Sequence, residues 1–263
     1  MRWKAAPDCS SCGWLTRSDR LGQCRRQIGR RRKTRKMITV LGSINMDLIA
    51  TTPRLPEPGE TVAGTGFSTA AGGKGANQAL AARRAGSVVR MAGAAVKDEF
   101  ADPSLALLAE AAVDLSAVQR VDGPTGTALI LVGGDGENMI AVVPGANGTV
   151  TQSQAEEASN AMAAGDVLML QLEIPAAAVE AALQAAKAKK ATSVLNTAPL
   201  TQDAARLARL ADIVITNETE FELLIDRAEL KPQERLEALR RVHAETGQTF
   251  IITLGPDLSL IHI

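Results

Sequence analysis

Residues 167–196 read VLMLQLEIPAAAVEAALQAAKAKKATSVLN, and this stretch decides the fold class. Val167-Leu168-Met169-Leu170 is a continuous apolar run of the kind found in strands buried on both faces. Pro175 then stands where the first turn of a helix has no use for an N–H, and its fixed φ suits that position. Lys187, Lys189 and Lys190 fall near the far end of the helix that follows, where unpaired carbonyls favour cations. Ser193-Val194-Leu195 is strand-like again. A strand, a helix and a second strand in so short a span make a βαβ unit with parallel strands.

The same rhythm continues in both directions. Toward the N-terminus, Ile38–Leu41 reads as a strand, 74–86 as a helix, Val88–Gly93 as a strand and 104–112 as a helix. Toward the C-terminus come a helix over 201–211, a strand over Asp212–Ile215, a helix over 232–246 and a strand over Phe250–Leu254. The predicted architecture is α/β, a mostly parallel sheet flanked by helices. Residues 48–69, and 126–143 with Gly133-Gly134-Asp135-Gly136 at a turn, alternate in β fashion with no helix between. They predict a small antiparallel flap beside the main sheet, placed to cover a ligand.

Of the 263 residues 46% are hydrophobic, enough for a full core, and no apolar run approaches the roughly 18 residues of a membrane-spanning helix. No membrane partner is expected. The formal net charge of zero hides a division: residues 1–36 hold 12 Lys and Arg against Asp8 and Asp19, leaving 17 basic and 27 acidic residues from Met37 onward. Cys9, Cys12, Cys24, Trp3 and Trp14 all lie in that leader, so the fold of the body cannot depend on disulfides, which suits a reducing cytoplasm. Arg30-Arg31-Arg32-Lys33 could attract phosphate or a targeting receptor. Nothing follows the pattern through: there is no apolar segment of a secretory signal, and Cys9-x-x-Cys12 lacks a second ligand pair. The expectation is a basic, disordered extension over 1–36, translated upstream of a start at Met37, with no nucleic-acid partner, and an α/β domain over 37–255.

In an open α/β sheet ligands collect at the carboxyl ends of the strands. Polar residues recur there: Asn45 and Asp47 after the first strand, Glu173 after the run 167–172, Asn196, Asn217 with Glu220, and Thr253 with Gly255. Gly72-Gly73-Lys74-Gly75-Ala76-Asn77 is no P-loop, because Ser68 and Gly75 stand where Gly and Ser or Thr are needed. Gly64-Thr65-Gly66 is followed by Thr69 rather than a third glycine, so no dinucleotide fingerprint exists either. A glycine-rich helix entry can let a sugar hydroxyl approach backbone N–H groups, with Lys74 and Asn77 donating from the same turn; it can equally be a tight turn alone.

Taken together, Gly42-Ser43-Ile44-Asn45-Met46-Asp47, Pro58-Gly59-Glu60-Thr61 and Gly72-Gly73-Lys74-Gly75-Ala76-Asn77-Gln78 resemble the ribokinase branch of the PfkB-type carbohydrate kinases. Thr125–Leu129, Gly136–Asn138, Gly145-Ala146-Asn147, Gln171-Leu172-Glu173, Asn217–Glu220 and Thr253–Gly255 continue the resemblance in order, over residues 37–255. It implies a ribokinase-like fold with a β lid that pairs two subunits into a homodimer, and ATP-dependent phosphorylation of the ribose 5-hydroxyl. Asn45, Asp47, Gly73, Lys74, Asn77 and Glu173 would hold the sugar. Asn217 and Glu220 would organise Mg²⁺ and phosphate, Glu220 through water, and Thr253 and Gly255 would begin the ATP site. Fructose or a nucleoside is an alternative acceptor. The family's base is an Asp at a Gly-Ala-Gly-Asp helix entry, which does not occur here. Asp257 lacks such an entry, and His262 reads as a tail residue. The expectation is therefore a chain missing its C-terminal part, including the base and the potassium site, with a non-family tail over 256–263. Such a chain would bind sugar without turning it over.

Overall fold

The alternation of apolar and amphipathic segments produces two sheets. The structure, a computed structural model, describes residues 36–255 and, for the backbone alone, 259–262. The leader's charge run and cysteine pair, its expected disorder, and Asp257 lie outside the described residues.

The large sheet has eight strands. They are β1 (Met37–Leu41), β4 (Val88–Ala95), β5 (Asp114–Arg120), β8 (Val167–Leu170), β9 (Thr192–Asn196), β10 (Ile213–Asn217), β11 (Thr249–Thr253) and β12 (Ser259–His262), in the order β12-β11-β10-β9-β8-β1-β4-β5. Every ladder is parallel except β11–β12. The carboxyl ends of β1, β8, β9, β10 and β11 therefore share one rim.

The connecting helices are α1 (Lys74–Arg84), α2 (Ala101–Glu110), α3 (Gln152–Asn160), α4 (Ala176–Lys189), α5 (Ala204–Ala208), α6 (Glu218–Leu224) and α7 (Pro232–Thr246). The chain steps outward from β1 to β4 and β5, then returns to β8 on the other side of β1 and steps outward again through β9, β10 and β11. Right-handed crossovers running in opposite directions along a sheet put helices on opposite faces. One core cluster joins the helices from α3 to α7 to Leu168, Leu170, Leu195, Val214, Phe250 and Ile252. The other joins α1 and α2 to Val40, Val89 and Met91. The run 167–170 is buried unequally on its two sides: Leu168 and Leu170 are inaccessible, whereas Val167 and Met169 are half-buried, with Met169 packed against the second cluster. Continuous hydrophobicity marks a central strand, and it does not guarantee that both faces are covered equally.

The flap is a separate four-stranded sheet, β3-β2-β6-β7, made of β2 (Asn45–Thr51), β3 (Gly66–Gly72), β6 (Gly126–Val132) and β7 (Asn138–Val143). The expected antiparallel arrangement is corrected to a mixed one. The two hairpin ladders β2–β3 and β6–β7 are antiparallel, but the central β2–β6 ladder is parallel. The reason is topological: β2 continues from β1 and β6 from β5, two parallel strands of the large sheet, so both enter the flap in the same sense. The flap also begins earlier than residue 48, so that Asn45 and Asp47 lie within a flap strand rather than in a loop.

Candidate functional site

Successive strand residues point to opposite faces, so Asn45 and Asp47 share one face of β2. The short connection Gly42-Ser43-Ile44 brings that strand against the entry to α1, where Ala76 N–H donates to Ser43 O at 2.9 Å. Gly73 makes this approach possible. Its φ is +90°, and a Cβ there would stand 2.8 Å from both Asn45 N and Ser43 O. Only glycine takes that conformation without steric cost.

Glu173, three residues past β8, reaches across to the same entry. Its Oε2 accepts from Lys74 N–H at 3.1 Å and from the Ser43 hydroxyl. Gly75 N–H in turn donates to Ser43 Oγ at 3.3 Å. The carboxylate thus satisfies the first free amide of α1 directly and, through Ser43, braces the second, at the helix end where the dipole favours a negative charge. Lys74 Nζ lies 3.8 Å from Glu173 Oε1, with the lysine side chain 40% and the glutamate side chain 10% exposed. Burial and the neighbouring Glu173 charge raise the pKa of Asp47, while Lys74 lowers it. Asp47, Lys74 and Glu173 therefore form one electrostatic group. Asn77 sits one turn further along α1 on the Lys74 side and is exposed.

Asn45 and Glu173 also line a cavity of about 390 Å³, together with Val142, Pro144, Asn147 and Leu172 among others. Val142 lies in register with Asp47 across β6, through Ala128, so the flap forms one wall. The arrangement offers carboxylates, an ammonium group and carboxamides beneath a β cover, a donor and acceptor set suited to a polyol.

Farther along the rim, β10 and β11 place Asn217 beside Thr253 in register. Asn217 and Glu220 form a capping box on α6: Glu220 N–H donates to Asn217 Oδ1 at 2.7 Å, and Asn217 N–H to Glu220 Oε2 at 3.1 Å. Thr197, just past β9, donates to the same Oε2 at 3.1 Å. Thr253 Oγ1 contacts Thr216 O at 3.4 Å, and Gly255 has φ +57°. Glu173 and Asn217 belong to strands two places apart, so roughly 10 Å separates the two groups along the rim.

No group of three or more His, Cys, Asp or Glu able to hold a metal occurs among the described residues. Glu220 has one oxygen engaged in the cap and one left over. Magnesium keeps much of its water shell, so a single carboxylate fits a hydrated ion held through water and not a direct ligand cage.

Residue type, placement and cover describe what the rim can hold, and comparison with known proteins decides the family. The sequence pattern of the pfkB family carbohydrate kinases matches residues 35–261. The chain belongs to that family. The PfkB match runs past Gly255 into β12, through part of the stretch read from sequence as a non-family tail. The chain is 36% identical over 222 residues to the ribokinase of Haemophilus influenzae, covering 84% of this chain and 72% of the relative. It is 37% identical over 228 residues to that of Schizosaccharomyces pombe, covering 83% and 72%. It superposes on the structure of Arabidopsis thaliana ribokinase complexed with ribose and ATP with a TM-score of 0.74 at 27% identity, covering 87% of this chain and 75% of that one. PfkB membership sets the class of reaction, phosphoryl transfer from ATP to a carbohydrate. Among the described residues no helix is long and apolar enough to cross a membrane.

Two residues that shape the site escaped the sequence reading. Ser43 holds the Glu173 carboxylate, and Thr197 braces Glu220. Both contacts join distant segments, and neither residue carries a local signal.

Proposed function

We propose that the acceptor is D-ribose, phosphorylated on its 5-hydroxyl by MgATP. The observation that carries this reading is the convergence of Lys74 and Glu173 on the flap-strand face that bears Asn45 and Asp47. Glu173 and Asp47 accept from sugar hydroxyls, and the Lys74 and Asn77 side chains and the Gly73 N–H donate to sugar oxygens. Asn217, Glu220, Thr253 and Gly255 take the phosphate side, with Glu220 holding Mg²⁺ through water. When bound, the ion neutralises charge on the β- and γ-phosphates. In the reaction the sugar oxygen forms a bond to the γ-phosphorus as the bond to the β,γ-bridging oxygen breaks, and the hydroxyl proton passes to a base.

No Gly-Ala-Gly-Asp segment occurs among the 263 residues. That favours a second reading for the chain as it stands, in which it holds the sugar with very weak turnover or none. A coupled assay with D-ribose, D-fructose and a nucleoside, each with MgATP, separates the readings. Trace or absent turnover is expected, with D-ribose the one acceptor that protects the chain against melting. Turnover with D-ribose of about 1–100 per second, the ordinary kinase range, would refute the binding-only reading; protection by fructose or the nucleoside alone would refute ribose.

The flap supplies a pairing surface. Phe67, Leu131 and Met139 share a register row with Ala50, and Leu129 lies two positions from Leu131 on the same face. Phe67 is 71% and Met139 53% exposed. A second copy of the chain covering this face makes the homodimer.

A further inference from the structure

Asn147, in the 3₁₀ turn Gly145–Thr149, stands outside the proposed ligand set, yet it is 1% exposed and fully engaged. Ile44 N–H donates to Asn147 Oδ1 at 2.9 Å. A backbone N–H can only donate, so that end of the side chain is its oxygen. The other end is therefore the amide nitrogen, which donates to Ile44 O at 3.2 Å and to Asn45 Oδ1 at 2.7 Å. Accepting that bond commits Asn45 as well. Its oxygen is turned to Asn147, and its Nδ2, which can only donate, is left for the cavity that both residues line with Glu173.

The packing leaves no slack in this arrangement. Gly126 lies opposite Asn45 in the β2–β6 ladder, and a Cβ there would come within 2.2 Å of Asn147 Nδ2 and 2.4 Å of Asn45 Oδ1, the two ends of the bond. Glycine at 126 is what gives the pair its room.

We infer that Asn147 is a positioning residue that sets the hydrogen-bond polarity of the sugar site, fixing Asn45 as a donor opposite the acceptors Glu173 and Asp47. A polyol then meets Asn45 with an oxygen lone pair and the carboxylates with its hydroxyl hydrogens. The inference deepens the ribose reading and rests on it.

Calorimetric titration with D-ribose of the full chain and of Asn45→Ala, Asn147→Asp and the double variant tests it. A carboxylate in place of the Asn147 amide could accept from Ile44 N–H but could not donate, so Asn45 would turn its nitrogen toward position 147 and its oxygen toward the sugar. Asn147→Asp is expected to weaken ribose about tenfold, the scale of one lost hydrogen bond, and to have no further effect once Asn45 is alanine. A purely structural role would weaken binding equally in both backgrounds, and that result overturns the inference. Asn147→Ser, which adds no charge, repeats the cycle should the aspartate variant fail to fold. If the parent chain gives no heat with ribose, the ribose reading fails separately. Thermal melting of the same four proteins then decides whether positions 45 and 147 are coupled, as expected, or additive, which refutes the link.

Discussion

At the level of single residues, Asp47 sets stability against binding. Its carboxyl pKa is raised above the ordinary 3.8, chiefly by burial and then by Glu173, with Lys74 opposing. The folded chain therefore holds that proton more tightly than the unfolded one. Stability is lost as pH rises from below 3.8 through the raised folded value, and ionised Asp47 is a cost to the sugar-free fold at neutral pH. Asp47→Asn is expected to melt above the parent at neutral pH, with the gap closing as pH falls toward 3.8, while ribose binding weakens. Melting curves across pH, with and without ribose, check this; a variant that melts no higher at neutral pH contradicts it. Asp47, Lys74 and Glu173 are legible in the sequence because each follows or opens an element at the same rim. The roles of Ser43 and Asn147 are not, because their partners lie 130 and 103 positions away. Which polar loop residue will orient another is a property of the assembled rim.

Among the elements, the strongly periodic ones are readable: α4 and α7 lie where proline, lysines and apolar spacing place them. The segments left unread are short or polar. Helix α3 is announced only by the capping box Thr151–Gln154, and the Asn217–Glu220 box of α6 reads equally well as a ligand motif. Helix α6 is held in place by α7. Arg235, 9% exposed, pairs with Glu218 at 2.5 Å and Glu222 at 3.1 Å, and donates to Leu230 O at 3.1 Å. Arg235→Ala would strand the largely buried Glu222 carboxylate, and urea unfolding should register a loss of about 3–5 kcal/mol. Adding Glu222→Leu to an Arg235→Met chain should recover most of it. A single variant as stable as the parent would mean that the pair does not fasten α6.

For the whole molecule, alternation alone leaves two matters unread: the parallel β2–β6 ladder and the incomplete cover of the large sheet. Val194, Ile213, Ile215 and Ile251 stay half-buried and belong to neither core cluster. Together with the exposed flap face, they make association sensitive to sequence at two separate places. Phe67→Asp with Met139→Lys should convert the proposed dimer to a monomer in light scattering, whereas charges on the sheet face should leave the dimer intact. A parent chain that is monomeric, or a dimer indifferent to the flap substitutions, contradicts lid pairing.

Ribose binding by this chain requires that the rim gather its polar groups around a pentose. Titrating D-ribose without nucleotide into the parent chain and into Glu173→Gln tests that most directly. The parent should bind ribose saturably, and the variant at least about tenfold more weakly, the scale of a charged hydrogen bond. No heat from the parent, or equal affinity in the two proteins, would contradict it.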